Sequence, residues 1–192
     1  MTKLEIPIPE DKIRELKVGD TVLLTGIVVT ARDAGHKLMV EERPRFLDDR
    51  LRGGVIYHCG PVVKKDGERW SFVAAGPTTS SREEPYQAKV IESYGVRGVI
   101  GKGGMGEATQ EACRKFGAVY FHAVGGCGTA IARAVREVVA VHKLEEFGTP
   151  EAFWVIRVED FPVIVTIDAH GNSVHERVRE ASKKVYEELL KK

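Results

Sequence analysis

The sequence predicts an α/β fold, a β-rich N-terminal layer followed by an alternating remainder. Three observations carry this expectation. The first third is dominated by runs of β-branched and aromatic residues, with Thr21 to Thr30 the longest. From about residue 72 onward, short apolar runs alternate with segments of helical period. Most of the apolar runs end in glycine-bearing polar loops, such as Gly76-Pro77, Gly101 to Met105 and Gly125 to Gly128. No internal repeat, low-complexity tract or linker divides the 192 residues, so one domain over 1–192 is expected.

Taken in order, Asp11 to Leu16 reads as a short helical turn, followed by the turn Val18-Gly19-Asp20. Thr21 to Thr30 reads as a strand, with Gly26 marking a bulge or a close backbone approach. It runs into Ala31-Arg32-Asp33-Ala34-Gly35-His36-Lys37, where Arg32 and His36 share a face if the segment is helical. Glu42 to Gly53 mixes arginines with carboxylates around a proline and reads as a solvated or partner-facing loop. Val55 to Cys59 is a strand ending at Gly60-Pro61. Asp66-Gly67 signals a hairpin whose return strand is Trp70 to Ala75.

Ser81 to Tyr94 is helical, with Ser81 and Glu84 as a capping box, Pro85 in the first turn and Gly95 past the end. Its apolar face is Tyr86, Val90, Ile91 and Tyr94. Then follow a strand (Val96 to Ile100), a helix (Glu107 to Phe116), a strand (Ala118 to Val124) and an alanine-rich helix (Thr129 to Val135). Val138 to His142, Phe153 to Val158 and Phe161 to Ile167 are strands. Ser173 and Glu176 form a second capping box, opening an amphipathic final helix marked by Val174, Val178, Ala181, Val185 and Leu189.

Composition excludes several function classes. With 43% hydrophobic and 30% charged residues the chain reads as soluble and globular. A net charge of +1 and the absence of a basic stripe argue against nucleic acid and anionic membranes. Met1 to Glu10 does not read as a signal peptide, and no apolar run approaches the roughly 20 residues of a membrane span. A cytoplasmic location is expected. Cys59, Cys113 and Cys127 form no CxxC pair, and the six histidines form no HxH or HxxxH pair, so no metal site declares itself. Buried thiols are expected at all three cysteines.

The strand-end loops carry the chemistry. If they converge, Arg32, Arg82 and Lys102 make a cluster of cations, with Thr78, Thr79, Asp33 and His36 beside them. Three cations suit a small polyanion such as a dicarboxylate. The Gly101-Lys102-Gly103-Gly104-Met105 loop is not a P-loop, and GxGxxG is absent, so a dinucleotide is not supported. The residues alone leave ordinary turn chemistry open as the alternative.

Five motifs, in order, resemble class I fumarate hydratases: Thr25-Gly26 through Arg32-Asp33-Ala34-Gly35-His36, Tyr57-His58-Cys59-Gly60-Pro61, Gly76-Pro77-Thr78-Thr79-Ser80-Ser81-Arg82, Gly101 to Met105, and Asp168-Ala169-His170-Gly171-Asn172-Ser173. The resemblance is to their C-terminal domain, or separate β subunit, and covers nearly the whole chain. The L(+)-tartrate dehydratase β subunit shares most of these motifs, and Phe161 to Asp168 looks closer to the fumarase version. Gly35 departs from relatives that carry a larger residue there.

The resemblance implies a swivelling β/β/α fold and an iron–sulfur hydro-lyase in a hetero-oligomer. A [4Fe-4S] cluster would be held by the partner α subunit, with one iron open to substrate as a Lewis acid. This chain would hold no metal and be inactive alone. Matched position by position, Thr78 aligns with the proposed base, and Arg32, Arg82 and Lys102 with substrate-carboxylate contacts. Thr79 and Gly60 fall in the same substrate-binding motifs. His36 is the competing base, treated as catalytic in the tartrate branch. Three readings remain open at this point: fumarate hydratase β subunit, tartrate dehydratase β subunit, or a non-catalytic anion-binding module.

Overall fold

A computed structural model describes residues 1–191. Its strands are β1 (Thr2–Ile6), β2 (Thr21–Thr30), β3 (Val55–Tyr57), β4 (Val62–Asp66), β5 (Arg69–Ala74), β6 (Gly98–Gly101), β7 (Val119–His122), β8 (Val135–His142) and β9 (Phe153–Ile167). The helices are α1 (Glu10–Glu15), α2 (Asp33–Glu41), α3 (Asp48–Leu51), α4 (Glu84–Tyr94), α5 (Glu107–Phe116), α6 (Gly128–Ala132), α7 (Leu144–Phe147) and α8 (Val174–Leu189).

The main sheet runs β1-β2-β3-β6-β7-β9-β8, and β9 also pairs with β2. The strands β2, β3, β6, β7 and β9 therefore close into a ring. Pairing is parallel from β2 to β7 and antiparallel where β9 meets both β7 and β2. Parallel neighbours need crossovers, and α2, α4 and α5 lie in the connecting segments. The hairpin β4-β5 forms a separate two-stranded sheet.

Alternation along the strands sorts the core into two clusters. Val29, Ile56, Val99 and Tyr120 pack with Met39, Val90, Ile91, Tyr94, Ala112 and Cys113 from the helices. Their neighbours Val28, Val55, Tyr57, Ile100, Val119 and Phe121 join Trp154, Ile156 and Phe161 in the other cluster. Because the helices cover the outside of the ring, this second set fills its inside, as small barrels require.

The alternating α/β pattern is as expected, but the N-terminal strands do not form a layer of their own. β1, β2 and β3 belong to the same sheet as the later strands, and only the hairpin stands apart. The strands expected at Phe153 to Val158 and Phe161 to Ile167 are one continuous strand, β9. Asp160 takes a left-handed φ of 49° between the two halves, beside the register shift opposite Leu24 and Gly26. Gly26 thus marks the bulge anticipated there.

Glu42 to Gly53 is more structured than a solvated loop. It folds into a 3-10 turn and α3, anchored by Leu47 and Leu51, which are fully buried. The alanine-rich helix is shorter than expected, because Val135 already begins β8. The Ser81–Glu84 capping box does not form. Ser80–Glu83 is a 3-10 turn, and the Glu84 carboxylate instead accepts from Gly106 N–H at 2.7 Å and from Thr109 N–H and Oγ1–H at 3.2 and 2.8 Å. It thereby caps α5, whose own N-cap position is Gly106.

At α8 the Ser173 hydroxyl does accept from Glu176 N–H, at 3.3 Å. Yet no residue of this helix is buried, and Val178, Val185 and Leu189 stand exposed. The amphipathic face anticipated here therefore finds no partner within the described residues.

Candidate functional site

The loop following β2 presents Arg32 at the N-cap position of α2. Its Nε lies 3.4 Å from Glu151 Oε1, while Glu151 Oε2 accepts from Ala34 N–H at 3.0 Å. Gly60 seats this side chain. A Cβ there would stand 2.6 Å from Arg32 Nη1 and 2.9 Å from the Pro150 carbonyl, so any larger residue would displace the guanidinium. Asp33 then grips Arg82 with both oxygens, Oδ1 3.1 Å from Nε and Oδ2 2.7 Å from Nη2. The two arginines are thus held by partners that are adjacent in the chain or in space.

Thr78 sits in a strip of backbone laid between two strand ends. Its N–H donates to the His58 carbonyl at 2.7 Å, and its own carbonyl accepts from Lys102 N–H at 3.2 Å. Ser80 N–H donates to the Lys102 carbonyl at 2.9 Å. Thr79 pairs with Lys102 in a parallel bridge, and Cys59 with Pro77 in an antiparallel one. The loops bearing Thr78 and Lys102 are therefore stitched together backbone to backbone. Thr78 is half-buried, while Thr79 and Arg82 are exposed.

The Lys102 stem passes the third glycine loop, 3.4 Å from where a Cβ on Gly125 would stand. Within the Lys102 loop itself, Gly104 holds a φ of +82°, and a Cβ would meet the His175 ring at 2.4 Å, so both backbone and space demand glycine. A cleft of about 510 Å³ runs from Gly103 and Met105 to His175 and Arg179. Arg32, Thr78, Arg82 and Lys102 do not line it.

Behind the loops lies a buried polar network. His36 is fully buried, with Nδ1 3.0 Å from the Arg32 carbonyl and Nε2 2.9 Å from Gln87 Oε1. His58, also fully buried, places Nε2 2.8 Å from the same Gln87 atom and Nδ1 2.8 Å from Ser80 Oγ. The Tyr120 hydroxyl donates to Ser80 Oγ at 2.8 Å. Burial depresses the basicity of both imidazoles, strongly so for His58, which His36 also disfavours as a cation. His36 therefore has no free nitrogen facing solvent and no ready means of carrying charge.

Sequence reasoning named Arg32, Arg82, Lys102, Thr78, Thr79, Gly60 and His36 as candidates and did not name Glu83, Gln87 and Glu151, which lie against Arg32 and His36. A signal existed for two of them. Glu83 and Gln87 lie one turn apart and in helical phase with Val90, Ile91 and Tyr94, so polar residues interrupt an apolar stripe. Tyr86, assigned to that stripe, is only half-buried, and Gln87 takes the buried place.

The cysteines do not fit an iron–sulfur cluster. Cys59 and Cys113 are buried in different apolar clusters, each thiol pushed up to about 12 by burial. Cys127, expected to be buried, is exposed in the loop before α6. Among the described residues no three His, Cys, Asp or Glu side chains gather as a metal site. Nor is any described helix long and apolar enough to cross a membrane.

The fold is an α/β domain whose loops pair Arg82 with Asp33, the neighbour of Arg32, and join Thr78 to Lys102 through the backbone. Residues 1–178 match the family model described as the fumarase C-terminus, and the chain belongs to that family. It is 51% identical over 181 residues to a Geobacillus stearothermophilus protein named "Putative fumarate hydratase class I", covering 93% of this chain but 34% of that one. The chain thus spans about a third of that relative's length. It is 44% identical over 173 residues to the L(+)-tartrate dehydratase subunit beta of Escherichia coli strain K12, covering 89% of this chain and 85% of that one.

Proposed function

We propose that this chain is the β subunit of a two-subunit hydro-lyase that hydrates fumarate reversibly to (S)-malate. It would fold as a single domain of the swivelling β/β/α type and work in the cytoplasm. Its iron–sulfur partner, an α subunit, would hold the [4Fe-4S] cluster that this chain's cysteines do not fit. The observation that carries the reading is the stitching of Thr78 to Lys102, next to the Arg82–Asp33 pair that adjoins Arg32. Family membership supports the reaction class.

In this reading Arg32, Arg82 and Lys102 bind the two substrate carboxylates, and Thr79 lies at the rim. Gly60 acts by leaving room for Arg32. In the malate-to-fumarate direction Thr78 Oγ1, as an alkoxide, takes a proton from C3. The C3–H electron pair becomes the C2–C3 double bond as the C2–O bond breaks, and the departing hydroxide takes the proton back from Thr78 Oγ1, which releases water and restores the alkoxide. Charge growing on the adjacent carboxylate is met by fixed cations, and the same cations favour the alkoxide. The full burial of His36 favours Thr78 over it as the base.

A second reading keeps the chemistry and changes the substrate to L-tartrate. It is supported by the 44% identity to the L(+)-tartrate dehydratase subunit beta of Escherichia coli strain K12. The test is co-purification with an iron–sulfur α subunit under anaerobic conditions, followed by assays with malate, fumarate and tartrate. Turnover of malate and fumarate well above tartrate supports the first reading, and the reverse supports the second. Full activity from this chain alone would reject both. Thr78→Ala is expected to lower kcat by about 100-fold or more while moving KM little, as loss of a general base does.

A further inference from the structure

Glu83 closes the 3-10 turn Ser80–Glu83, directly after Arg82. It is fully buried, and neither carboxyl oxygen has a hydrogen-bond partner. Its Oε2 lies 3.8 Å from His36 Nδ1. The charged and titratable groups facing it are Arg32, Asp33 and His36 from the start of α2, Glu151 from the segment before β9, and Arg82 from its own turn. Both arginines are already engaged, Arg82 by Asp33 and Arg32 by Glu151. An ionised Glu83 would be a third carboxylate with no cation of its own, and burial without a partner disfavours that charged form.

The hydrogen count at Gln87 points the same way. One terminal atom of its amide meets both His36 Nε2 and His58 Nε2, and the other has no partner. The amide's orientation is set by the network around it. If oxygen faces the rings, both Nε2 atoms must carry hydrogen. His36 would then need a second hydrogen on Nδ1 to meet the Arg32 carbonyl, making it an imidazolium against a Glu83 carboxylate. If nitrogen faces them, both rings are neutral, with Nδ1–H of His36 donated to the Arg32 carbonyl and Nδ1–H of His58 to Ser80 Oγ.

The two arrangements contain the same number of protons: in the second, one has moved from His36 Nε2 to the Glu83 carboxyl, and the His58 proton has changed from Nε2 to Nδ1. Burial disfavours both imidazolium cations, and burial with Asp33 and Glu151 lifts the Glu83 carboxyl to about 8 against the pull of Arg82 and Arg32. The neutral arrangement is the one this environment favours.

We propose that Glu83 is a positioning residue for the cation cluster: carrying a proton, it keeps His36 neutral and bonded to the Arg32 carbonyl, and so fixes the backbone that presents the Arg32 guanidinium. The structural part stands on the network alone. Its meaning for catalysis rests on the hydro-lyase reading above.

The test pairs spectroscopy on this chain with kinetics on the reconstituted two-subunit enzyme. Nitrogen-15 spectra are expected to show His36 neutral with its hydrogen on Nδ1 at pH 7. A carbon-13 titration, assigned with Glu83→Gln, is expected to place the Glu83 midpoint near 8. The His36 signals should shift across that midpoint in wild type and not in Glu83→Gln. In the reconstituted enzyme Glu83→Ala is expected to lower kcat about tenfold or more through misplacement. Glu83→Gln should restore most of it while losing the alkaline inflection.

A charged His36 or an Nε2–H tautomer at pH 7, or a Glu83 midpoint in the ordinary carboxylate range, overturns the proposal. So does a Glu83→Ala enzyme with wild-type kcat. If the reconstituted pair turns over none of the three acids while the spectra are as expected, the hydro-lyase reading falls and the structural role of Glu83 stands.

Discussion

Gly60 illustrates how much of a site can rest on an atom that is missing. Arg32 occupies the space where a side chain at position 60 would begin. Gly60→Ala is therefore expected to raise KM for dicarboxylates in the reconstituted enzyme, with a stability cost of about 1–3 kcal/mol by urea denaturation. Buried titratable groups give the pH dependence. His36 and His58 have lowered basicity in the folded chain, so their contribution is present above the ordinary histidine range and lost as pH falls through and below it. Glu83 is raised, so its contribution is fully present below the ordinary carboxylate value of 4.5 and is lost as pH climbs towards about 8. Glu83→Gln should flatten the decline in melting temperature between roughly pH 5 and 8. A wild-type decline retained in the variant would contradict this. The residue roles named from the motifs had a sequence signal, because loops with glycine, hydroxyls and a cation are written locally. Glu151 had none: it lies far along the chain and reaches Arg32 only through the tertiary fold.

Among the elements, α4 and α5 are joined by a latch. Glu84 belongs to the first turn of α4 but satisfies the N-terminus of α5 with three hydrogen bonds. Removing a carboxylate that accepts from two orphan N–H groups and a hydroxyl should be costly. Glu84→Ala is expected to destabilise the chain by about 2–3 kcal/mol, whereas Ser81→Ala, which removes no cap bond, should stay within about 0.5 kcal/mol. Equal effects in denaturant titrations would restore the local capping box. That box fitted the spacing rule, and it fails because the chain tightens into a 3-10 turn at Ser80–Glu83. The Ser173–Glu176 motif obeys the same rule and does cap its helix. Spacing identified both candidates, but only the fold decided which carboxylate had somewhere better to go. The final helix is a similar case. Its apolar period was legible, yet period alone does not say what it packs against. Val185→Asp and Leu189→Glu are expected to leave the melting temperature of this chain within about 2 °C, because neither residue is buried. A large drop would mean that α8 is covered in solution.

For the molecule as a whole, the alternation of strand and helix was readable, and so was the list of loops that could meet. What was not readable is the closure. Runs such as Phe161 to Ile167 announce a buried strand but not its direction or its neighbours. β9 runs against β2 and β7 and is paired along both edges, to β2 on one side and to β7 and β8 on the other. An ordinary alternating sheet would have left β2 with an open edge, and the β-rich beginning was accordingly read as a separate layer. A strand register is a property of pairs, and the partner of Thr21 is Ile164, far along the chain. Phe161, buried at the centre of that closure and edge-on to Tyr57, is expected to cost about 3–5 kcal/mol when truncated to alanine.

The position of β9 in the chain also dictates an order of events at birth. As the polypeptide leaves the ribosome, β2, β3, β6 and β7 emerge first, with the strand that seals them still to come. Until then β2 has a bare flank of unpaired amides and carbonyls, the kind of edge that recruits foreign strands. The long sequence distance to Ile164 makes sealing slow relative to local helix formation. A nascent chain stalled before Phe153 should therefore bind chaperones or aggregate, and release of the last forty or so residues should end that exposure.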